Sequence, residues 1–221
     1  MEKLWDNPPD PSILGLILPK GGTPFDDDSW AVTVTNDDIG YVSDEDADSY
    51  NYDDMLADMQ KDALDGNAER VKAGYSSVKI LGWAATPRYD KATRKLYWAK
   101  KLQFDANTTE TLNYDIRILG RKGVLVLSFI ADIKQLPAVE AAAPDILKIV
   151  NFTEGNRYSD FVPSVDTVAA VGIGGLIAGK VLASKAGLLV LLLAFAKKGF
   201  VLILLPLIWL KNKIFGKKPE V

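Results

Sequence analysis

Lys95-Leu-Tyr-Trp-Ala-Lys-Lys-Leu-Gln-Phe104, Thr111-Leu-Asn-Tyr-Asp-Ile-Arg-Ile-Leu119 and Val124-Leu-Val-Leu-Ser-Phe-Ile-Ala131 follow one another with only short polar breaks between them. Such runs are strand-like, and the first two partly alternate apolar with polar side chains, as a half-buried strand does. Turn chemistry separates them: Asp105-Ala-Asn107 after the first and Gly120-Arg-Lys-Gly123 after the second. A parallel pair needs a crossover of a dozen or more residues, so breaks this short make the neighbours antiparallel. A fourth run, residues 77–83, precedes these three, and Pro87-Arg-Tyr-Asp90 is expected to form the intervening turn. The centre of the chain therefore reads as an antiparallel meander.

Upstream of the meander, residues 13–18 form a short apolar run closed by Pro19, Gly21 and Gly22, and residues 30–35 are rich in β-branched side chains. Both are expected strands. Residues 53–72 place Met55, Leu56, Met59, Ala63 and Leu64 at three- and four-residue steps, which predicts a helix with Gly74 as its stop. A second helix is expected over about 133–149, packed on the sheet. Asp37, Asp38, Asp44, Glu45, Asp46 and Asp48 crowd the segment before the first helix, which reads as a solvated acidic loop. The fold class is thus α+β: a meander sheet with two helices, followed by an apolar C-terminal tail.

That tail begins near Val165. Residues 168–183 are small and apolar, residues 187–196 are almost pure Leu, Val and Ala, and residues 200–210 are apolar throughout. No polar face interrupts them, as a soluble surface helix would require. One crossing needs about 20 residues to span about 30 Å of hydrocarbon. Residues 186–210 suffice as a single span, with Lys197 and Lys198 near the middle at about 2.5–3.5 kcal/mol each. A hairpin is the other arrangement, its first span starting at Val165 and Gly175-x-x-x-Gly179 allowing close helix approach. The expected organisation is a head over 1–164, an anchor over 165–210 and a basic tail over 211–221. Trp209 and the flank Lys211, Lys213, Lys217 and Lys218 are expected at the cytoplasmic interface. One span would then place the head outside the cytoplasm, and a hairpin would keep it inside.

Composition narrows the chemistry. The 221 residues include no cysteine and no histidine. Disulfides, thiolate or imidazole metal sites, and nucleophilic triads relying on histidine are therefore excluded within the chain. The net charge of −3 conceals a division, because residues 167–221 carry eight lysines and one acid, leaving 18 bases and 28 acids before them. An acidic head is a poor match for nucleic-acid phosphates, whereas the basic tail suits anionic headgroups. No cofactor is expected, and the expected partners are the lipid bilayer and another membrane or envelope protein.

Several ordered motifs go further. Trp30-Ala-Val-Thr-Val, Asp38-Ile-Gly-Tyr-Val-Ser-Asp-Glu-Asp46, Gly82-Trp83, Pro87-Arg-Tyr-Asp90, Leu96-Tyr-Trp-Ala99, Leu112-Asn-Tyr-Asp-Ile-Arg-Ile-Leu-Gly-Arg121 and Phe152-Thr-Glu-Gly-Asn-Arg-Tyr-Ser-Asp-Phe161 occur in this order along the chain. Together they resemble the bacterial membrane-anchored proteins grouped as domain of unknown function 2167, over nearly the whole chain. The resemblance implies a membrane anchor and supplies no catalytic residues. It also implies an N-terminal signal peptide and leader ahead of Leu4-Trp-Asp-Asn-Pro-Pro9; if the sequence begins late, at an internal methionine, the expected head is periplasmic at the inner membrane, whereas an authentic start at Met1 carries no visible export signal.

Candidate sites are few. Asp44, Asp46 and Asp48 occupy positions 1, 3 and 5 of a calcium-loop pattern, but Ser49 and Met55 stand where glycine and glutamate are needed. Asp115, Arg117, Arg121, Glu154, Arg157 and Tyr158 could form an Arg–carboxylate network that binds an anion or braces the head, bracing being favoured. Tyr114 and Trp98 read as core or rim aromatics. Gly172-x-Gly174-Gly175 lacks the context of a phosphate loop and reads as a feature of a membrane helix. The leading expectation is a non-enzymatic interaction or scaffolding module. The alternatives are a membrane-bound hydrolase using carboxylates such as Glu154 and Asp115, or a transport subunit with Lys180, Lys197 and Lys198 along a polar path.

Overall fold

A computed structural model describes residues 12–23, 26, 29–105 and 109–179. The expected anchor from Lys180 onward, with Lys197, Lys198, Trp209 and the flank Lys211, Lys213, Lys217 and Lys218, lies outside the described residues. So do the motif around Trp5 and the Ala106-Asn107 turn.

Six strands form one antiparallel sheet: β1 (Ile13–Ile17), β2 (Ala31–Asp37), β3 (Val78–Asp90), β4 (Lys95–Phe104), β5 (Thr111–Leu119) and β6 (Val124–Asp132), in the order β1-β2-β6-β5-β4-β3. The meander is therefore β3 to β6, as the short breaks require. β6 then pairs along β2, and β1 forms the far edge. Among the described residues, three α-helices accompany the sheet: α1 (Tyr52–Lys72), α2 (Leu136–Ile149) and α3 (Ile173–Ala178).

One expected turn is corrected. Pro87 lies inside β3, and the chain reverses between Asp90 and Lys95. Proline has no N–H for a ladder, but β3 is an edge strand whose register shifts three times before Arg88, so the missing donor is tolerated. The same edge is covered rather than left open. Asn67 of α1 donates to the Val78 carbonyl (2.9 Å) and accepts from the Val78 N–H (2.8 Å), while Gln60 donates to the Ile80 carbonyl (3.0 Å). Side-chain amides here satisfy groups that would otherwise invite another strand.

Because alternate side chains face opposite ways, both sides of the sheet carry a core. On one side Leu112, Tyr114, Ile116, Leu127 and Phe129 pack under Val139, Ala143 and Ile146 of α2. On the other, Leu96, Trp98, Val124 and Val126 pack with Met55 and Met59 of α1, Val42, Tyr158, Ala169, Ile173 and Ile177. The second core holds two surprises for the sequence reading. Val42, Asp44 and Ala47 of the acidic segment are buried, so that loop is packed and not simply solvated. Residues 165–179, expected to open the anchor, run back into the head, which continues past 164 to Gly179. Val168 pairs with Tyr41, and Ile173 is fully buried. Gly40 makes the Tyr41 pairing possible: its φ is +92°, and a Cβ would stand 2.7 Å from the Thr167 carbonyl oxygen.

Among the described residues no helix is long and apolar enough to cross a membrane.

Candidate functional site

The polar side chains of the second core converge on Asp44, in the loop between β2 and α1. Its Oδ1 accepts from the Tyr158 hydroxyl (3.0 Å), and its Oδ2 accepts from the Tyr89 hydroxyl (2.9 Å) and the Arg94 guanidinium. Arg94 also lies over the Tyr158 ring, 4.7 Å from its centroid. Tyr41 stacks on Tyr158 at 4.5 Å and on Phe161 at 3.8 Å. Burial pushes the Tyr89 and Tyr158 phenols well above their ordinary range, so both remain donors at neutral pH. One carboxylate thus joins the acidic loop, the end of β3, the β3–β4 turn and the segment after α2.

Asp46 makes a second junction. Tyr50 donates to its carboxylate, and the Ile173 N–H at the start of α3 donates to Oδ1 (3.1 Å). Gly172 and Gly174 are small for this reason, since a Cβ on either would collide with the Asp46 carboxylate or the Tyr50 ring. Gly172 and Gly174, expected in a membrane helix, are therefore a close-packing device of the head, whereas Gly179 faces open space and ends α3 with φ +68°. Asp48 is exposed. The calcium-like triplet is taken apart by these partners, and among the described residues no acidic group of three or more could hold a metal ion.

The six residues expected to form one network separate in space. Asp115 is buried in mid-sheet, where it accepts from Ser128 Oγ (2.6 Å) and has Arg117 at 3.7 Å. The Arg117 guanidinium lies 5.2 Å from the centroid of Trp98. Trp98 and Tyr114 are core aromatics, Tyr114 meeting Phe129 edge-on. Arg121 latches the segment after α2 to the β5–β6 turn. Its Nε donates to Asp166 Oδ2 (2.7 Å), its Nη1 to the Gly155 carbonyl (3.1 Å) and its backbone N–H to the Asn156 carbonyl (2.9 Å). Tyr158 belongs to the Asp44 junction. Glu154 and Arg157 are exposed, and neither side chain forms an ion pair among the described residues.

Hydrogen bonds from Arg121 and the Val162 N–H hold the Asp166 carboxyl below its usual range. A depressed carboxylate stabilises the fold above its unfolded pKa, and that contribution disappears as pH falls through the folded one. The midpoint of chemical unfolding should therefore drop on acidification below about pH 4. Asp166→Asn should make that acid slope shallower while leaving the slope above pH 5 unchanged. Unfolding curves of both proteins from pH 7 to pH 3 check this, and parallel curves would contradict it.

Sequence reasoning missed Tyr41, Tyr89, Arg94 and Asp166. Arg94 has φ +56°, uncommon for a residue with a side chain, but nothing in the sequence marks that conformation. Tyr41, Asp44, Asp46, Tyr158 and Phe161 do share one property: they lie in two of the motif runs, 38–46 and 152–161, that converge here.

A crystal structure of a protein of unknown function from Pseudomonas aeruginosa is similar at 14% identity, over 67% of this chain and 88% of that one, with a TM-score of 0.34. Similarity that distant carries no argument about activity. No curated protein matches the chain. The family model described as protein of unknown function (DUF2167) spans residues 1–208, from ahead of β1 through both motif runs to beyond α3, and the chain belongs to that family.

Proposed function

We propose that this chain is a membrane-anchored interaction module of the bacterial inner membrane, non-enzymatic, with its head in the periplasm and its C-terminus in the cytoplasm. The observation that carries the reading is the burial of Ala169, Ile173 and Ile177 in the head. With residues 165–179 folded there, the apolar stretch left for lipid is 180–210. That is long enough for one crossing of about 20 residues and too short for two. A single crossing with Lys211, Lys213, Lys217 and Lys218 inside puts the head outside. Since α3 is packed into the head, its end leads straight into the apolar stretch. The head would then work close to the bilayer, where confinement raises its effective concentration toward a membrane partner.

The non-enzymatic part rests on how the acids are used. Asp44, Asp46, Asp115 and Asp166 accept hydrogen bonds from the protein's own donors, the arrangement of braces rather than of general acids or bases.

Sidedness and anchoring are testable together in bacterial cells making the full chain. Protease should cut the head in intact spheroplasts and spare it in inverted vesicles, and carbonate washing should leave the chain in the pellet. A chain released by carbonate would overturn the anchor, and a head cut only in inverted vesicles would overturn the topology.

A further inference from the structure

Beside the Asp44 junction lies a cavity of about 290 Å³, between the β3–β4 turn, the end of β5 and residues 151–159. Arg94 and Arg157 line it together with Ser159 and Asn151, and among the described residues no acidic one does. The contrast matters because acids outnumber bases 28 to 18 over the first 166 residues. We infer that this cavity is a binding site for a small organic oxyanion, a carboxylate or phosphate group on a compact apolar body.

Each part of the wall has a role. Arg94 is fixed before any ligand arrives, by the Asp44 carboxylate on one side and the Tyr158 ring beneath it. A preorganised guanidinium loses little freedom on binding. Asp44 offsets much of its charge, so the net attraction comes mainly from Arg157, which has no ion pair among the described residues. Arginine's planar fork suits a carboxylate or phosphate equally, through two parallel N–H···O bonds. Arg157 is held in place through its backbone, whose N–H donates to the Asp160 carboxylate (2.8 Å) and which bridges to Gly120. Leu119 and Phe152 supply the apolar wall. The Phe152 ring sits so close over Gly120 that a Cβ there would overlap it. The volume lies at the small end of ligand pockets, enough for a single ring or a short chain.

The site does not depend on the membrane reading, and a chain that failed the carbonate test could still bind here. Isothermal titration of the full chain in a neutral detergent, with phenyl phosphate, benzoate and glycerol phosphate as probes, tests it. Saturable binding of at least one probe is expected, weakening with added salt and falling at least about tenfold in Arg157→Gln. Preference for glycerol phosphate would identify a lipid headgroup as the source of the anion, and preference for an aromatic probe a free metabolite. Arg157 is exposed, so its replacement leaves the core intact. Arg94→Lys, which keeps a cation against Asp44 but removes the fork, should weaken the same probe while the protein stays folded. Absence of saturable binding for all three probes at millimolar concentration, or undiminished binding by Arg157→Gln, would overturn the site.

Discussion

Asp44→Ala should destabilise the head by about 3 kcal/mol, the low end of what breaking a buried ion pair costs. The low end applies because Arg94 keeps about a third of its side chain in solvent and can rehydrate, which softens the loss. Tyr158 cannot, being 9% exposed with its ring stacked on Tyr41. Removing the carboxylate leaves its hydroxyl, and that of Tyr89, without the acceptor they now share. Domains of this kind are stable by only about 5–15 kcal/mol in total, so the loss is a large fraction. Asp44→Asn should fall between wild type and alanine, since an amide oxygen still accepts while the charge is gone. Tyr158→Phe should cost about 1.5–3 kcal/mol, the net worth of a hydrogen bond to a charged group. Urea unfolding of the full chain in detergent, followed by tryptophan fluorescence at pH 7, measures all three. An alanine variant within 0.5 kcal/mol of wild type, on the order of a neutral surface change, would remove Asp44 from the centre of the head.

Why that residue was not legible follows from where its partners sit. Tyr89, Arg94 and Tyr158 are 45, 50 and 114 positions away. Local composition reports a run of acids, and a run of acids is ordinarily wet. Only the path of the chain brings phenols and a guanidinium to it. The strands were legible for the opposite reason. β4 and β5 fall on Lys95–Phe104 and Thr111–Leu119 as their side-chain pattern and short breaks demand, because those signals are local. The strand expected over 77–83 continues to Asp90; Pro87 marks a turn unless the strand is known to be an edge, and edge status is a property of the sheet. The expected network of six residues divides by the same logic, with Asp115 and Arg117 of it paired to each other. Arg121 found Asp166, and Tyr158 found Asp44. Arg157 instead shares a cavity wall with Arg94, a neighbour that no spacing announces.

Glycine in the segment 172–179 was ambiguous at a deeper level, because lipid-facing helices and tightly packed soluble ones use it alike. The two differ in what an added methyl, or a lost one, does to the head. Ile173 is fully buried against the sheet, and Gly174 sits against the Tyr50 ring. Ile173→Ala should therefore destabilise the head by about 2–4 kcal/mol, through lost burial and the cavity left behind. Gly174→Ala should cost about 1–3 kcal/mol from overpacking, since Tyr50 is held by Asp46 and cannot swing clear without giving up that bond. A helix lying in lipid predicts neither: removing methylenes or adding one would leave the unfolding of residues 12–164 unchanged. Hydrogen exchange of the β4–β6 amides in the full chain distinguishes the cases, because those strands form the floor beneath α3. Faster exchange there in both variants is the expected result. Wild-type protection in Ile173→Ala would return this segment to the membrane, and with it the hairpin that places the head in the cytoplasm.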